Sequence, residues 1–252
     1  MHYNYHVSGK TMIITGASKG IGRGMAEIFA KAGAKLAVVA RPSKELKALE
    51  AECRAQGWDV TAFEADLRSV PSICACVDAI YEQFGQVDIL VNNAGMGKPS
   101  PALEISEADW DELMDLNMKG TFFFTQQVVR RMKERGGKVV MMSSQASVIG
   151  IENESTYCAS KGGLNQMVKV MAMEWAKYGI RVNAVGPTFV YTPGTAERLD
   201  DPDFYKQTVD MIPVGRVGKI EDVAAAVDFL ASEGSDMITG TMLLVDGGWT
   251  LA

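Results

Sequence analysis

The sequence is poor in residues that bind metal ions or form disulfides. Its two histidines, His2 and His6, both lie near the amino terminus, and its four cysteines form no CxxC pair. A zinc-dependent dehydrogenase needs clustered cysteine and histidine ligands, so this pattern excludes a zinc enzyme, and we expect no metal site. The same cysteine usage indicates a reduced, cytoplasmic protein.

The chain also lacks a long apolar run and an excess of positive charge. No stretch approaches the roughly 20 apolar residues that span a bilayer, and residues 1–9 are polar and aromatic, unlike a signal peptide. The net charge of −6 argues against a nucleic-acid partner. With 252 residues, 47% of them hydrophobic, and no linker or repeat, the chain is predicted to form one domain over residues 1–252.

Short apolar runs alternate with longer amphipathic ones along the chain. This order is typical of an α/β fold, a doubly wound parallel sheet with helices on both faces. Seven strands are predicted, at Met12–Ile14, Leu36–Val39, Val60–Phe63, Ile89–Val91, Lys138–Met142, Val182–Ala184 and Met242–Val245. Helices are predicted at Gly22–Lys31, Lys44–Gln56, Val70–Phe84, Glu107–Glu134, Ser155–Tyr178 and Ile220–Ala231.

One stretch, residues 187–218, fits neither pattern. It carries four of the eight prolines, Pro187, Pro193, Pro202 and Pro213, among polar residues. Long irregular segments in compact domains are usually lids or binding loops, so we predict a substrate lid over about residues 188–218. The alternative is a surface excursion without function.

The segment TGASKGIG, residues 15–22, follows the first predicted strand and opens the first helix. Bare backbone at Gly16, Gly20 and Gly22 would let a pyrophosphate approach the N–H donors of the helix. Glycines here are also ordinary turn formers, so this motif alone is weak. Gly9, Lys10 and Thr11 spell the end of a nucleotide triphosphatase loop, but Asn4 stands where that motif needs glycine, and the motif should follow a strand.

Ser144, Tyr157 and Lys161 are candidates for proton chemistry on an alcohol or carbonyl. A free tyrosine has a pKa near 10 and is a poor base at neutral pH. Lys161, four residues along a predicted helix, lies on the same face as Tyr157, and its charge is expected to lower the pKa of the phenol. Ser144 would hold the substrate oxygen. Alone, a Tyr-x-x-x-Lys pair is commonplace on helix surfaces.

Taken together, TGASKGIG, the NNAG segment at Asn92, Asn117, Ser144 and the pair Tyr157 and Lys161 resemble the short-chain dehydrogenase/reductase family. The match spans essentially the whole chain, in the right order. It implies a single Rossmann-type domain with seven parallel strands, a nicotinamide dinucleotide cofactor and a homotetramer. It also implies catalytic roles for Asn117, Ser144, Tyr157 and Lys161, with Asn117 at a helix kink that holds a water linking the lysine to solvent.

The resemblance further implies which residues contact the cofactor. They are Gly16, Ser18, Lys19, Gly20, Ile21 and Gly22 in the first turn, Asp66 and Leu67 after the third strand, Asn93, Ala94 and Gly95, then Tyr157, Lys161, Pro187, Val190 and Thr192. Thr188 departs from the glycine usual in the family, and since threonine tolerates positive φ poorly, the backbone there is in question.

Cofactor preference depends on the end of the second strand. The acidic residue that binds the ribose of NAD in the family is replaced by Ala40, followed by Arg41. Arg41 and Lys19 would bind a 2′-phosphate as charge-assisted donors, which favours NADP(H), with NAD(H) possible. The alternative is that both are solvated surface cations.

The substrate is expected to be a small polar molecule. Ser144, Gln145, Glu154, Tyr157 and Tyr191 are the candidate substrate residues, and buried polar groups require a ligand that satisfies them. This set favours a sugar, polyol or sugar acid, and its glutamate favours a neutral polyol or ketose over an acid. The alternative is that these side chains face solvent.

Two other functions remain open. A 3-oxoacyl-carrier-protein reductase would need a basic patch near the pocket, for which Arg130, Arg131, Lys133 and Arg135 are candidates. A cofactor-binding or structural protein without turnover is the second alternative.

Overall fold

The computed structural model describes residues 3–251, which build one sheet of seven parallel strands in the order β3-β2-β1-β4-β5-β6-β7. This confirms the predicted fold class and the seven predicted strands. The strands are β1 (Thr11–Thr15), β2 (Lys35–Ala40), β3 (Val60–Glu64), β4 (Ile89–Asn92), β5 (Gly137–Met142), β6 (Ile180–Pro187) and β7 (Met242–Val245).

Helices cover both faces of this sheet. They are α1 (Gly20–Lys31), α2 (Lys44–Ala55), α3 (Val70–Phe84), α4 (Glu107–Met114), α5 (Thr121–Met132), α6 (Ser155–Trp175), α7 (Pro193–Leu199), α8 (Pro202–Asp210) and α9 (Ile220–Ala231). Among the described residues 3–251, no helix is both long and apolar enough to cross a membrane.

The sheet separates two hydrophobic cores. Met12 and Ile14 of β1 point toward the face covered by α1, α2 and α9, whereas Ile13 points toward the face covered by α3, α5 and α6. Because successive side chains of a strand alternate between faces, a strand covered on both sides is apolar throughout. Phe29 of α1 and Phe124 of α5 are fully buried, and burial of each such side chain stabilises the fold by about 1.5–3 kcal/mol.

The strand order reverses between β1 and β4. From β1 the chain moves outward through β2 to β3, and then returns to place β4 on the other side of β1. The connections after β1 and β4 therefore leave the sheet in opposite directions and open a crevice at the carboxyl ends of the strands, where ligands of open α/β sheets bind.

The long helix predicted at Glu107–Glu134 is divided. A π-helical segment, Asp115–Gly120, separates α4 from α5. Such segments accommodate an extra residue in a helix and frequently occur at functional sites. Here the segment contains Asn117.

The irregular stretch predicted at residues 187–218 contains two short helices, α7 and α8, so its prediction as irregular was wrong. Pro193 and Pro202 each occupy the first turn of one of these helices. Proline is favoured at that position because its fixed φ suits a helix and its missing N–H would have no partner there. These prolines begin helices rather than prevent them.

Candidate active site

A cavity of about 690 Å³ opens at the carboxyl edge of the sheet. Its walls come from the segments after β4, β5 and β6, from the start of α6 and from α7. The sequence-predicted residues that line it are Ile21, Asn93, Gly95, Ser144, Gln145, Glu154, Tyr157, Lys161, Pro187, Val190 and Thr192. The structure thus brings the proton-transfer candidates and part of the cofactor set to one cavity.

The glycine turn between β1 and α1 packs against the end of β4. A Cβ atom at Gly16 would lie 2.7 Å from the Ala94 Cα, and one at Gly22 would collide with the Asn93 Nδ2 and the Gly16 carbonyl oxygen. Gly16 and Gly20 also have positive φ angles of 67° and 59°. By contrast, a Cβ at Gly20 would meet no atom within 4 Å, so the turn is closed toward the sheet and open above Gly20.

Helix α1 begins without a capping side chain. Lys19 at the N-cap makes no side-chain capping bond, and the first turn holds no acidic residue. Free N–H donors and the positive end of the helix dipole suit an anion. Together with the open space above Gly20, this arrangement fits the pyrophosphate of a dinucleotide, which Ser18 and Ile21 would flank.

The turn after β4 is held by Thr15. The backbone N–H groups of Asn93 and Ala94 both donate to the Thr15 Oγ1, each at 3.0 Å. The Asn93 side chain in turn donates to the Thr15 and Gly16 carbonyl oxygens, at 3.0 and 3.3 Å. These bonds fix the two turns at the crevice relative to one another.

The candidate cofactor residues near the ends of β2 and β3 and in the glycine turn differ in whether their charges are already paired. Lys19 and Arg41 are exposed, and neither forms an ion pair with a carboxylate of the described chain. Asp66 accepts hydrogen bonds from the Arg68 guanidinium, which lowers the pKa of that carboxyl, and Leu67 is buried in the core. The cations are therefore available to a ligand, whereas the Asp66 carboxylate is already paired.

Lys161 reaches the cavity from the second turn of α6. It is only 5% exposed, its Nζ donates to the Met142 carbonyl oxygen at 2.7 Å, and Nζ lies 5.6 Å from the centroid of the Tyr157 ring. Burial lowers the pKa of Lys161 to about 8, so the amine remains mostly protonated at neutral pH. The described residues provide this one acceptor, which leaves two of its three donors for a ligand or water.

The pKa of Tyr157 does not follow the expectation from the sequence. Burial raises it above the ordinary value, the carboxyl of Glu154 raises it further, and only the Ser144 hydroxyl lowers it. The charge of Lys161, which was expected to lower the pKa of Tyr157, is not among these influences. Removal of the phenol from water disfavours the phenolate more than its neighbours stabilise it, so this chain by itself holds Tyr157 protonated at neutral pH.

Asn117 forms hydrogen bonds to both sides of the site. Its Oδ1 accepts from the Met96 N–H and its Nδ2 donates to the Met96 carbonyl oxygen, both at 2.9 Å. Nδ2 also donates to the Ser160 Oγ at 3.1 Å, and Ser160 donates to the Tyr157 carbonyl oxygen at 2.8 Å. The π-helical segment thus connects the loop after β4 to the turn of α6 that carries Tyr157.

Three buried polar atoms of the cavity wall lack partners within the described chain. They are the Gln145 Oε1, the Glu154 Oε2 and the Thr188 Oγ1. Leaving a buried acceptor or hydroxyl unpaired costs about 1–3 kcal/mol. The residues that carry these atoms line the cavity, so they are candidates for contact with a ligand that brings hydroxyl groups.

Thr188 adopts an ordinary backbone conformation. Among residues 3–251 the single non-glycine residue with positive φ is Asn153, at 64°. The replacement of glycine by threonine therefore introduces no strain at this position, and it adds a hydroxyl group to the cavity wall.

Two lid residues differ from expectation. Tyr191 does not line the cavity; it is 47% exposed, donates to the Asp200 Oδ1 at 2.7 Å and borders a neighbouring groove. Arg198 of α7 does line the cavity and was not identified from the sequence. Arg198 reaches the cavity because it lies on α7. No helix was predicted for that segment from its sequence.

Known proteins resemble this chain over nearly its whole length. A family model described as enoyl-(acyl carrier protein) reductase matches residues 16–250. The D-threitol dehydrogenase of Mycolicibacterium smegmatis is 38% identical, covering 99% of this chain and 96% of the relative. The 2-dehydro-3-deoxy-D-gluconate 5-dehydrogenase of Escherichia coli is 36% identical, covering 97% of each. An NAD-dependent glycerol dehydrogenase of Listeria innocua is 36% identical, covering 98% and 96%.

Solved structures agree with these relatives. A gluconate 5-dehydrogenase from Burkholderia cenocepacia in complex with NADP and tartrate superposes with a TM-score of 0.93 at 32% identity, covering 99% of this chain and 98% of that one. A short-chain type dehydrogenase/reductase from Mycobacterium ulcerans has a TM-score of 0.93 at 27% identity, covering 97% and 90%.

Proposed function

Since the chain belongs to the short-chain dehydrogenase/reductase family, we propose that it is an NADP(H)-preferring oxidoreductase that interconverts a secondary alcohol and a carbonyl on a small polar substrate. The family and its named dehydrogenase relatives make the chain a nicotinamide-dependent oxidoreductase of CH–OH groups. The proposal adds the cofactor preference, the substrate class and the roles of individual residues. Polyols, sugars and sugar acids are the substrate class, in keeping with the threitol, glycerol and gluconate enzymes among the relatives.

The buried Lys161 beside Tyr157 carries the proposal. A lysine that is removed from water and has no carboxylate partner costs stability, and such groups concentrate at functional sites. Its ammonium lies 5.6 Å from the centroid of the tyrosine ring, close enough to stabilise the phenolate once further positive charge arrives. This geometry supports proton transfer by Tyr157.

The proposed proton chemistry uses three residues. The bound nicotinamide would accept or supply the hydride. In alcohol oxidation, Tyr157 takes the hydroxyl proton as general base, and in carbonyl reduction it returns that proton as general acid. Ser144 holds the substrate oxygen beside the phenol. Lys161 favours the phenolate electrostatically, and Asn117 positions α6 through Ser160.

The chain's own residues also suggest how the dinucleotide is held. The glycine turn and the free end of α1 would bind the pyrophosphate, Asn93 to Gly95 would line its middle, and Pro187, Val190 and Thr192 would face the nicotinamide. Arg41 and Lys19 would bind the 2′-phosphate of NADP. One solved relative contains NADP and another relative is described as NAD-dependent, so the relatives support either cofactor, and the proposed preference for NADP rests on these two cations.

A second candidate is reduction of a 3-oxoacyl group on a carrier protein, favoured by the description of the matching family model. Its basic patch would need to lie beside the cavity. Arg130 and Arg131 instead lie in the last turn of α5, and Lys133 and Arg135 lie between α5 and the first residue of β5. They therefore lie near the amino ends of the strands, whereas the cavity lies at the carboxyl ends.

We also propose a homotetramer and a lid over about residues 188–218 within a single domain. Apolar side chains remain exposed on α6, where Val170 is 48% and Met173 is 74% exposed, and a second subunit would cover them. Sedimentation or light scattering of the purified chain tests this assembly, and a monomer would contradict it.

The experiment that tests the function is a substrate panel with NADPH, NADP, NADH and NAD. It includes threitol, glycerol, gluconate, the corresponding ketones and acetoacetyl thioesters. We expect turnover of polyols or sugar acids with a preference for NADP(H), and loss of that turnover in Tyr157→Phe. Activity confined to acyl thioesters would replace the proposal with the second candidate.

A further inference from the structure

Glu154 lines the cavity close to Tyr157, and one of its carboxylate oxygens, Oε2, is buried without a hydrogen-bond partner in the described chain. A Cβ atom added at Gly97 would lie 3.7 Å from this oxygen and 3.8 Å from the Tyr157 Cδ2, so the carboxylate and the tyrosine ring flank the same point above Gly97. A substrate held by the tyrosine therefore passes beside Glu154.

Arg198 of α7 borders the same cavity and is held by aromatic rings. Its Cζ lies 4.5 Å from the centroid of the Phe204 ring and 5.6 Å from that of Phe189. The two rings contact each other edge to face, with centroids 5.6 Å apart. Guanidinium groups stack favourably on such faces, so the lid orients this cation without an acidic partner.

The two charges influence each other without forming an ion pair. Among residues 3–251 no carboxylate lies within 4.0 Å of the Arg198 guanidinium, yet its charge lowers the pKa of Glu154, while burial raises it. Both side chains line the cavity. A hydrogen-bond acceptor on one wall and a hydrogen-bond donor on the other suit a substrate with hydroxyl groups on neighbouring carbons.

We propose that Glu154 and Arg198 form a charge-selective subsite for the part of the substrate beyond the reacting carbon. Glu154 accepts a hydrogen bond from a hydroxyl group there, and Arg198 donates one to a neighbouring hydroxyl oxygen. A carboxylate on the substrate would be repelled by Glu154 and attracted by Arg198. Because Glu154 is half-buried whereas Arg198 is exposed, water screens the repulsion less than the attraction, and the subsite selects neutral polyols over sugar acids. This inference rests on the proposed function and narrows its substrate class.

The test compares D-threitol, a neutral tetritol, with D-gluconate, an anionic sugar acid, as substrates of the full chain with NADP. We expect the wild type to prefer threitol in kcat/KM. Glu154→Gln retains the size of the side chain and removes its charge, so it should raise the gluconate-to-threitol ratio about tenfold. Arg198→Gln should lower that ratio, and Arg198→Lys, which keeps the charge, should change it less.

Glu197→Gln is the matched control, since it removes one carboxylate from α7 at an exposed position that does not line the cavity. Its ratio should equal that of the wild type. Equilibrium binding of both compounds to the NADP complex of Tyr157→Phe, with and without Glu154→Gln, provides a readout without turnover and should show the same change in ratio.

The outcomes separate the two proposals. If the wild type oxidises either compound but Glu154→Gln leaves both the kinetic and the binding ratios within twofold, the subsite is wrong and the function stands. If the wild type neither binds nor oxidises these or any other polyol or sugar acid, both proposals fail. A wild type that prefers gluconate also overturns the subsite.

Discussion

The two halves of the cavity are built differently. The cofactor side, where the turns after β1 and β4 meet, is held together by internal hydrogen bonds. Thr15 and Asn93 satisfy each other's backbone and side-chain groups there. The substrate side, between β5, α6 and α7, leaves the Gln145 Oε1 and the Glu154 Oε2 without partners. The first side offers a ligand the free backbone N–H donors at the start of α1, whereas the second side holds side-chain oxygens that the described residues leave unpaired.

This difference matches what we propose that each side recognises. A dinucleotide has the same pyrophosphate in every relative, so close backbone packing is sufficient, and glycines supply it. A substrate is recognised by its particular hydroxyl groups, and polar atoms that remain unpaired without it discriminate against molecules that cannot pair with them. Substitutions should therefore act on binding and stability on the first side, and on specificity and rate on the second.

The largest expected effect comes from Tyr157→Phe. Loss of the phenol hydroxyl removes the proposed proton donor, and kcat should fall by about 10²–10⁴-fold. Cofactor binding, measured by quenching of protein fluorescence with NADPH, should remain within about threefold because the ring and Lys161 remain in place. Near-normal turnover in this variant would show that another group transfers the proton.

On the cofactor side, Gly22→Ala should disrupt both folding and binding. The added methyl group would collide with the Asn93 Nδ2 and the Gly16 carbonyl oxygen, and overpacking of this kind costs about 1–3 kcal/mol. Denaturant unfolding measures the loss, and titration with NADPH measures the weakened binding.

Gly194→Ala is its control on the substrate side. The nearest atom to an added Cβ there is the Thr192 Oγ1 at 3.8 Å, an ordinary contact, and the residue lies in α7. Stability should be unchanged or slightly increased. Equal destabilisation by both variants would remove the contrast between the two sides.

Cofactor preference provides a third test. Arg41→Asp replaces a proposed partner of the 2′-phosphate with a charge that repels it and that suits a ribose hydroxyl, so the NADP-to-NAD ratio of kcat/KM should fall by about tenfold or more. Arg135→Asp makes the same change of charge after α5, distant from the cavity, and should leave the ratio unaltered. An unchanged ratio in Arg41→Asp would remove the basis for assigning NADP preference to this residue.

The two sides also differ in how much of each could be predicted from the sequence. On the cofactor side, local motifs identify the glycine turn and the Asn93 turn, because the chemistry depends on backbone conformation that short sequence patterns encode. The five inner strands were equally predictable, since burial on both faces makes each an apolar run. The edge strands β3 and β7 are only partly buried. These parts need no knowledge of distant contacts.

The remainder depends on tertiary contacts. The π-helical segment at Asn117 was not predicted from periodicity, because what holds Asn117 there is hydrogen bonding to Met96 in a separate loop. Arg198 was missed because the prolines of its segment resembled loop formers, although they begin helices. The pKa of Tyr157 was expected to fall beside Lys161, but burial, which spacing along a helix does not reveal, dominates.

The smallest expected effect is on the pH dependence of the reaction. It concerns the influence of Glu154, on the substrate side, on the pKa of Tyr157. The charge of Glu154 raises the pKa of Tyr157, so Glu154→Gln should lower it, and alcohol oxidation, which requires the deprotonated phenol, should reach its plateau at lower pH. The groups that face the phenol are Lys161, Ser144, Glu154 and Cys158, and only Glu154 changes. The profile of kcat/KM for threitol oxidation between pH 6 and 10 should move to lower pH, since the negative charge that opposes the phenolate is removed. Glu197→Gln should leave the profile in place. A shift to higher pH in Glu154→Gln would contradict this influence of the Glu154 charge on Tyr157.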